Sequence, residues 1–266
     1  MPEIVVDQVQ KTLGGLLTLQ GINLEAETGS VTGIIGPSGC GKSTLFNIVS
    51  GIMTPDQGRV VIGGRDVTGK TGRVSYMRQK DLLLPSRSLI ENVSIPLILK
   101  GMPAARARVR AAEHFDVFGL RGFEDYYPAQ LSGGMRQRAA MLRTYLFSSD
   151  VLLLDEPLAS LDAITRHNMH VWMLDFFAAY RPTVLFITHD LDEALSLCDK
   201  VYVLSACPTV VRLEEKIGFR RPPGGRTITD PAYVAMRDRL LENLTAGHLR
   251  GGECIPPGAP AARIPD

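Results

Sequence analysis

The segment Gly36-Pro37-Ser38-Gly39-Cys40-Gly41-Lys42-Ser43 constrains this chain more than any other. It satisfies G-x-x-x-x-G-K-[ST] at every fixed position. A short apolar run, Val31 to Ile35, precedes it, and a helical pattern from Thr44 to Ser50 follows. The glycines let successive backbone N–H groups turn inward around a phosphate without Cβ clashes. The start of the following helix adds partial positive charge. Lys42 suits the β- and γ-phosphates of a nucleoside triphosphate, and the Ser43 hydroxyl suits Mg²⁺. Gly36 to Thr44 are therefore the candidate triphosphate-binding residues. A strand–loop–helix of this kind belongs to an α/β fold with a mostly parallel sheet.

The rest of the chain is read around that anchor. Ile4 to Val6 and Leu17 to Leu24 flank Gly14-Gly15 and predict an antiparallel hairpin, with a further strand over Arg59 to Ile62. From about Lys80 to Leu146 helical spacing takes over, so a helical subdomain at about 80–146 is expected inside the α/β core. The continuous apolar runs Val151 to Leu154, Thr183 to Ile187 and Lys200 to Leu204 predict buried parallel strands. Helices are expected over Arg166 to Ala178 and Leu191 to Cys198, and another after Asp230-Pro231. The Pro/Gly-rich end, 251–266, is expected to be a disordered tail.

Open α/β sheets bind ligands at the carboxyl ends of their parallel strands. The expected strand Arg73 to Arg78 ends at Gln79, Val151 to Leu154 ends at Asp155-Glu156, and Thr183 to Thr188 ends at His189. Asp155 suits a Mg²⁺ partner, and Glu156 suits a group that orients and deprotonates water. Gln79 suits a neutral metal ligand that senses the γ-phosphate. His189 suits a partner for that phosphate or for Glu156. Taken singly each has a bland reading, as a loop residue or a helix cap. A second anion-binding corner, Ser132-Gly133-Gly134, opens another helix pattern in QLSGGMRQR.

The ordered set GPSGCGKST, Gln79, LSGGM, VLLLDEP, Ser160-Leu161-Asp162 and His189 resembles the ATP-binding cassette ATPases, the motor subunits of ABC transporters. The resemblance covers about residues 1–215, with 216–250 as a C-terminal helical extension. It implies ATP and Mg²⁺ as ligands, the metal held by Ser43, Gln79 and Asp155. It implies Glu156 as catalytic base, His189 as switch histidine and Gln79 as the loop glutamine facing the membrane subunit. It further implies a head-to-tail dimer, of identical or paired cassettes. In that dimer Ser132, Gly133 and Gly134 would face the γ-phosphate held by the other chain, and Ser160, Leu161 and Asp162 would cross the interface. Leu82 to Gly101 is similar to the loop region of nitrate/sulfonate/taurine-type importer ATPases, with Ser86 where those usually carry Trp; Asp230-Pro231-Ala232-Tyr233 fits them too. The expected partners are an integral membrane permease and a solute-binding protein. The family usually stacks adenine on an aromatic side chain in the first hairpin; here the matching position is Leu13, and residues 1–30 contain no Phe, Tyr or Trp. Met135 stands where the signature usually has Gln.

Composition narrows the alternatives. Lys plus Arg number 29 against 28 Asp plus Glu, which argues against nucleic-acid binding driven by bulk charge. Arg106, Arg108 and Arg110 are read as a solvated helix face. The four cysteines form no C-x-x-C pair, so neither a zinc site nor a redox dithiol is expected. No window approaches the ~18 apolar residues of a membrane span. MPEIVVDQVQ lacks the pattern of a secretory signal. A cytoplasmic protein, peripheral on the inner face of the membrane through its permease, is expected. The alternative is a soluble non-transport cassette of the translation or DNA-repair type. An unrelated phosphate-loop kinase or GTPase leaves LSGGM without a role and lacks an N-K-x-D guanine motif.

Overall fold

The computed structural model describes residues 2–148, 150–218 and 230–248. Strands β1 (Pro2–Leu13) and β2 (Leu16–Glu27) form an antiparallel hairpin turning on Gly14 and Gly15, as the sequence predicts. With β4 (Gln57–Ile62) and the two-residue β5 (Arg65–Asp66) they build a sheet ordered β2-β1-β4-β5. The second sheet runs β10-β9-β3-β8-β7-β6. Its strands are β3 (Val31–Ile35), β6 (Ser75–Met77), β7 (Val151–Asp155), β8 (Thr183–Ile187), β9 (Lys200–Leu204) and β10 (Val211–Lys216). Strands β9, β3, β8, β7 and β6 are parallel, and β10 joins β9 antiparallel.

Every residue of β3, β7, β8 and β9 is buried. Alternate side chains enter two different cores, because successive residues of a strand point to opposite faces. Leu152, Leu154, Val184, Phe186, Val201 and Val203 pack with the helices on one face. Val151, Leu153, Leu185, Ile187, Tyr202 and Leu204 pack against the antiparallel sheet and helix α1 (Lys42–Val49) on the other. Burial on both faces explains why these segments read as continuous apolar runs.

Between β6 and β7 lie α2 (Leu89–Leu99), α3 (Ala104–Ala112) and α4 (Gly133–Phe147). The Glu91 carboxylate accepts from the Ser88 N–H at 3.1 Å and fixes the start of α2. Leu89, Val93, Phe115, Phe118 and Leu131 from this helical stretch share the core of Leu152 and Phe186. Arg106, Arg108 and Arg110 are exposed on α3, and Arg108 and Arg110 pair with Glu91 and Glu113. After β7 come α5 (Ala163–Tyr180) and α6 (Leu191–Leu197), and then α7 (Pro231–His248). Helix α5 is longer at both ends than the periodicity indicates: Asp162 caps its start by accepting from the Ile164 and Thr165 N–H groups, and Arg181, with φ of +45°, closes its end. The expected strand over Arg73 to Arg78 is confined to Ser75–Met77. Strand β10 is not anticipated from the sequence. The tail at 251–266 lies outside the described residues.

Candidate active site

The parallel strands deliver their carboxyl ends to one edge of the sheet, and the chemistry collects there. The glycine-rich loop leaves β3 at Gly36 and enters α1 at Lys42. Gly41, at the helix N-cap, has φ of +102°, and a Cβ there would approach Thr18 Cγ2 at 3.0 Å and Leu19 Cδ2 at 3.1 Å. Strand β2 therefore lies directly against the loop, and only glycine fits. The Thr209 hydroxyl donates to the Cys40 carbonyl and ties the loop to the chain beyond β9. Lys42 is buried, and its ammonium donates to the carbonyls of Gly36 and Pro37 at 2.8 Å each. It thus lies across the loop, flanked by the backbone that would cradle phosphates.

Asp155 ends β7. Its carboxylate accepts from the Tyr76 phenol at 3.1 Å, and the Ser43 hydroxyl is close enough to favour its charged form. Burial pushes the Asp155 pKa up, and the neighbouring Glu156 adds to this; Ser43, Tyr76 and Lys42 oppose it. A buried carboxylate beside a serine hydroxyl is left under-neutralised. That donor pair fits a small divalent cation, whose charge would reverse the burial penalty.

Glu156 adopts a left-handed backbone with φ of +47°. For a non-glycine residue this stores about 1–3 kcal/mol of strain, and such strain concentrates at functional sites. The residue is held by its N–H donating to the Ile187 carbonyl at 3.0 Å. Its Oε2 accepts from Gln79 Nε2 at 3.1 Å and lies 3.5 Å from His189 Nδ1. Side chains from the ends of β6, β7 and β8 thus meet at one oxygen atom.

The remaining candidates gather elsewhere in the chain. Ser132 caps α4, its hydroxyl accepting from the Met135 N–H at 3.3 Å. Leu161 Cδ2 lies 3.4 Å from the Cβ position of Gly133, and Thr165 Cγ2 would lie 2.7 Å from a Cβ on Gly134. Gln137 Nε2 donates to the Ser160 hydroxyl at 3.3 Å. Ser132, Ser160 and Asp162 are exposed. The structure therefore brings Lys42, Ser43, Asp155, Glu156, Gln79 and His189 together, and Ser132 to Gly134 with Ser160 to Asp162 in a second group. Sequence reasoning missed Tyr76. The available signal was a tyrosine inside a short buried strand, whose phenol must find a hydrogen-bond partner.

Comparison with known proteins identifies the family. The family profile described as "ABC transporter" matches residues 19–159. The taurine import ATP-binding protein TauB of Pseudomonas aeruginosa is 38% identical over 229 residues, covering 84% of this chain and 87% of that protein. The formylaminopyrimidine import ATP-binding protein ThiZ of Halalkalibacterium halodurans is 45% identical over 178 residues, 67% and 69% of the two chains. A bacterial ABC transporter cassette solved as a dimer superposes with a TM-score of 0.70 at 30% identity, over 81% of this chain and all of that one. The same cassette is also known as a post-hydrolysis dimer with ADP and phosphate bound. The fold and site define a nucleotide-hydrolysing cassette, and the chain belongs to the ABC transporter family. It is an ATP-binding, ATP-hydrolysing subunit that works with Mg²⁺ and drives a membrane transporter. Among the described residues no helix is long and apolar enough to cross a membrane itself.

Proposed function

We propose that this chain powers the import of a small organic or anionic solute, as a cassette paired with a second cassette on the inner face of a permease. A solute-binding protein would deliver the cargo. Support comes from the import ATPases it is similar to, named for taurine and formylaminopyrimidine. Residues 1–215 would form the motor, with 80–146 as its helical subdomain and 216–250 as an extension. The stretch Leu89 to Leu99 would lie near a groove that receives a cytoplasmic helix of the permease. Exposed Ile52, Leu82 and Leu84 favour such a contact.

The observation that carries the catalytic reading is the meeting of Gln79 and His189 at Glu156 Oε2. Lys42 and the loop N–H groups would hold the β- and γ-phosphates of ATP. Ser43, Asp155 and Gln79 would hold Mg²⁺, which supplies positive charge to the phosphoryl oxygens when bound. Glu156 would orient a water in line with the γ-phosphorus and take its proton. With Oε2 held by Gln79 and His189, Oε1 would be the oxygen left to take that proton. Ser132, Gly133 and Gly134 would complete the site from the other chain, and Ser160 to Asp162 would cross between the two. ATP then closes the dimer, and hydrolysis with phosphate release reopens it. Glu156→Gln should abolish turnover while an ATP-bound dimer accumulates in size-exclusion chromatography. Near-normal hydrolysis by that variant would remove Glu156 as the base.

A further inference from the structure

Helix α7 lies beyond the residues that the ABC transporter profile spans, and the chemistry above does not use it. It nevertheless reaches the element next to His189. Tyr233, in its first turn, is 4% exposed, and its phenol donates to Asp192 Oδ1 at 2.6 Å. One turn on, Arg237 Nε lies 3.3 Å from the same oxygen. Leu240 is fully buried, and Arg239 pairs with Glu215 on β10. Helix α7 is therefore fixed both to α6 and to the sheet edge.

Asp192 belongs to the first turn of α6. Its N–H and that of Glu193 donate to Asp190 Oδ1 at 2.8 and 3.1 Å. The Asp190 N–H donates to the Thr188 hydroxyl oxygen at 3.0 Å, and that hydroxyl donates to Glu193 at 2.6 Å. His189 sits between Thr188 and Asp190 and inherits its position from them. Helix α6 has seven residues, roughly half of what an isolated helix needs to persist in water. Its orientation is thus set by what it packs on. At its far end Ser196 bonds His170 of α5 at 2.7 Å. At the end nearest His189, α7 supplies the anchor through a charge-assisted phenol–carboxylate bond, the stronger kind of hydrogen bond.

We propose that Tyr233 is a positioning residue for hydrolysis: by holding Asp192 it fixes the start of α6 and keeps His189 against Glu156. The inference rests on the reading above that His189 takes part in turnover. Without the hydroxyl, the first turn of α6 shifts more freely and His189 spends less time in place. The phosphate loop is on a different element, so nucleotide binding is untouched.

The test compares steady-state ATPase kinetics of the full chain with Tyr233→Phe, Asp192→Ala, the double variant and His189→Ala. Phenylalanine keeps the ring packing and removes only the hydroxyl. Tyr233→Phe should lower kcat roughly five-fold with KM for ATP unchanged. Asp192→Ala, which also removes the Arg237 pair, should lower kcat at least as much, and the double variant should be no worse than Asp192→Ala, because the phenol has no partner left to lose. A Tyr233→Phe protein with parental kcat, even if its Tm falls, would show that α7 is only packing. Multiplicative losses in the double variant would show that Tyr233 acts through another contact. Either result overturns the inference while leaving His189 in place if His189→Ala is inactive. A fully active His189→Ala would remove the reading of His189 itself, and this inference with it.

Discussion

The two glycine-containing loops that open helices α1 and α4 are built in opposite ways. The Gly36–Thr44 loop is wired into its surroundings by Lys42, by Thr209 and by the approach of β2 to Gly41. Its chemical neighbours Asp155, Glu156, Gln79 and His189 already touch one another or the loop. The Ser132–Gly134 loop has a cap and packing around it: Met135 N–H on Ser132, Leu161 on Gly133, Thr165 on Gly134. The Arg136 guanidinium beside Gly133 is engaged with the Asp81 carboxylate and the Leu131 carbonyl. One loop is preorganised by four strand ends; the other is a helix start presented to solvent. The contrast suits the proposed site divided between two chains, in which the half that binds nucleotide first would have to stand alone.

The sharpest way to break the comparison is Ser132→Arg. A long cation at an exposed cap leaves the phosphate loop of its own chain intact but blocks the approach of a second chain. Nucleotide binding by the single chain, followed by fluorescence of an ATP analogue, should be unchanged. Turnover should fall by about 100-fold or more, the scale for losing a group that stabilises transition-state charge. A fully active variant would reduce the Ser132 loop to a cap.

Next in size is Gly134→Ala, which tests whether that loop's contacts within the chain are purely steric. The new Cβ would meet Thr165 Cγ2 at 2.7 Å. Overpacking of this kind costs about 1–3 kcal/mol, or roughly 2–12 °C in Tm for a chain of this size. Adding Thr165→Ser removes the offending methyl and should restore most of the loss in a thermal melt. No recovery would mean that Gly134 serves backbone geometry instead.

How much of this was legible beforehand follows the same division. Strands β3, β8 and β9 could be bounded from sequence because they are short apolar runs buried on both faces, closed by polar residues. The strand-end logic then singled out Gln79, Asp155-Glu156 and His189. Strand β10 was hidden because it is an edge strand, RLEEK in character, with alternate residues exposed and little apolar signal. Helix α2 showed only as an apolar stretch, since it carries Pro96 and its second half, Ile95 to Leu99, is continuously apolar. Tyr76 on Asp155, and the sharing of a single Glu156 oxygen, depend on side-chain direction in three dimensions. No spacing in the chain encodes that.

A smaller effect separates binding from folding inside the preorganised half. The Asp155 pKa is raised by burial, so the fold favours its protonated form. Below the ordinary carboxylate range both folded and unfolded chains hold the proton, and there is no penalty. As pH rises through that range the unfolded chain ionises first, and stability is lost until the raised pKa is passed. Asp155→Asn removes this loss. Without nucleotide its Tm near neutral pH should exceed the parent's, and the gap should close on acidification. Hydrolysis should be abolished. A variant less stable than the parent near neutral pH would mean that the hydrogen bonds from Ser43 and Tyr76 outweigh the burial of charge.

The smallest effect concerns the one part of the nucleotide that neither loop addresses. Leu13 ends β1 beside the Gly14-Gly15 turn, half-buried and paired with Leu16. An aliphatic side chain there offers an apolar surface to a base but no aromatic face. Stacking is worth about 0.5–1.5 kcal/mol in aromatic pairs, so its absence should leave ATP and GTP only weakly distinguished. Leu13→Tyr should tighten ATP binding by roughly two- to ten-fold in competition titrations, with less gain for GTP and no change in kcat. Equal selectivity before and after the substitution would place the base elsewhere. Strong adenine preference in the parent would mean that other side chains read the base. The phosphate loop would then carry less of the binding than its density of contacts implies.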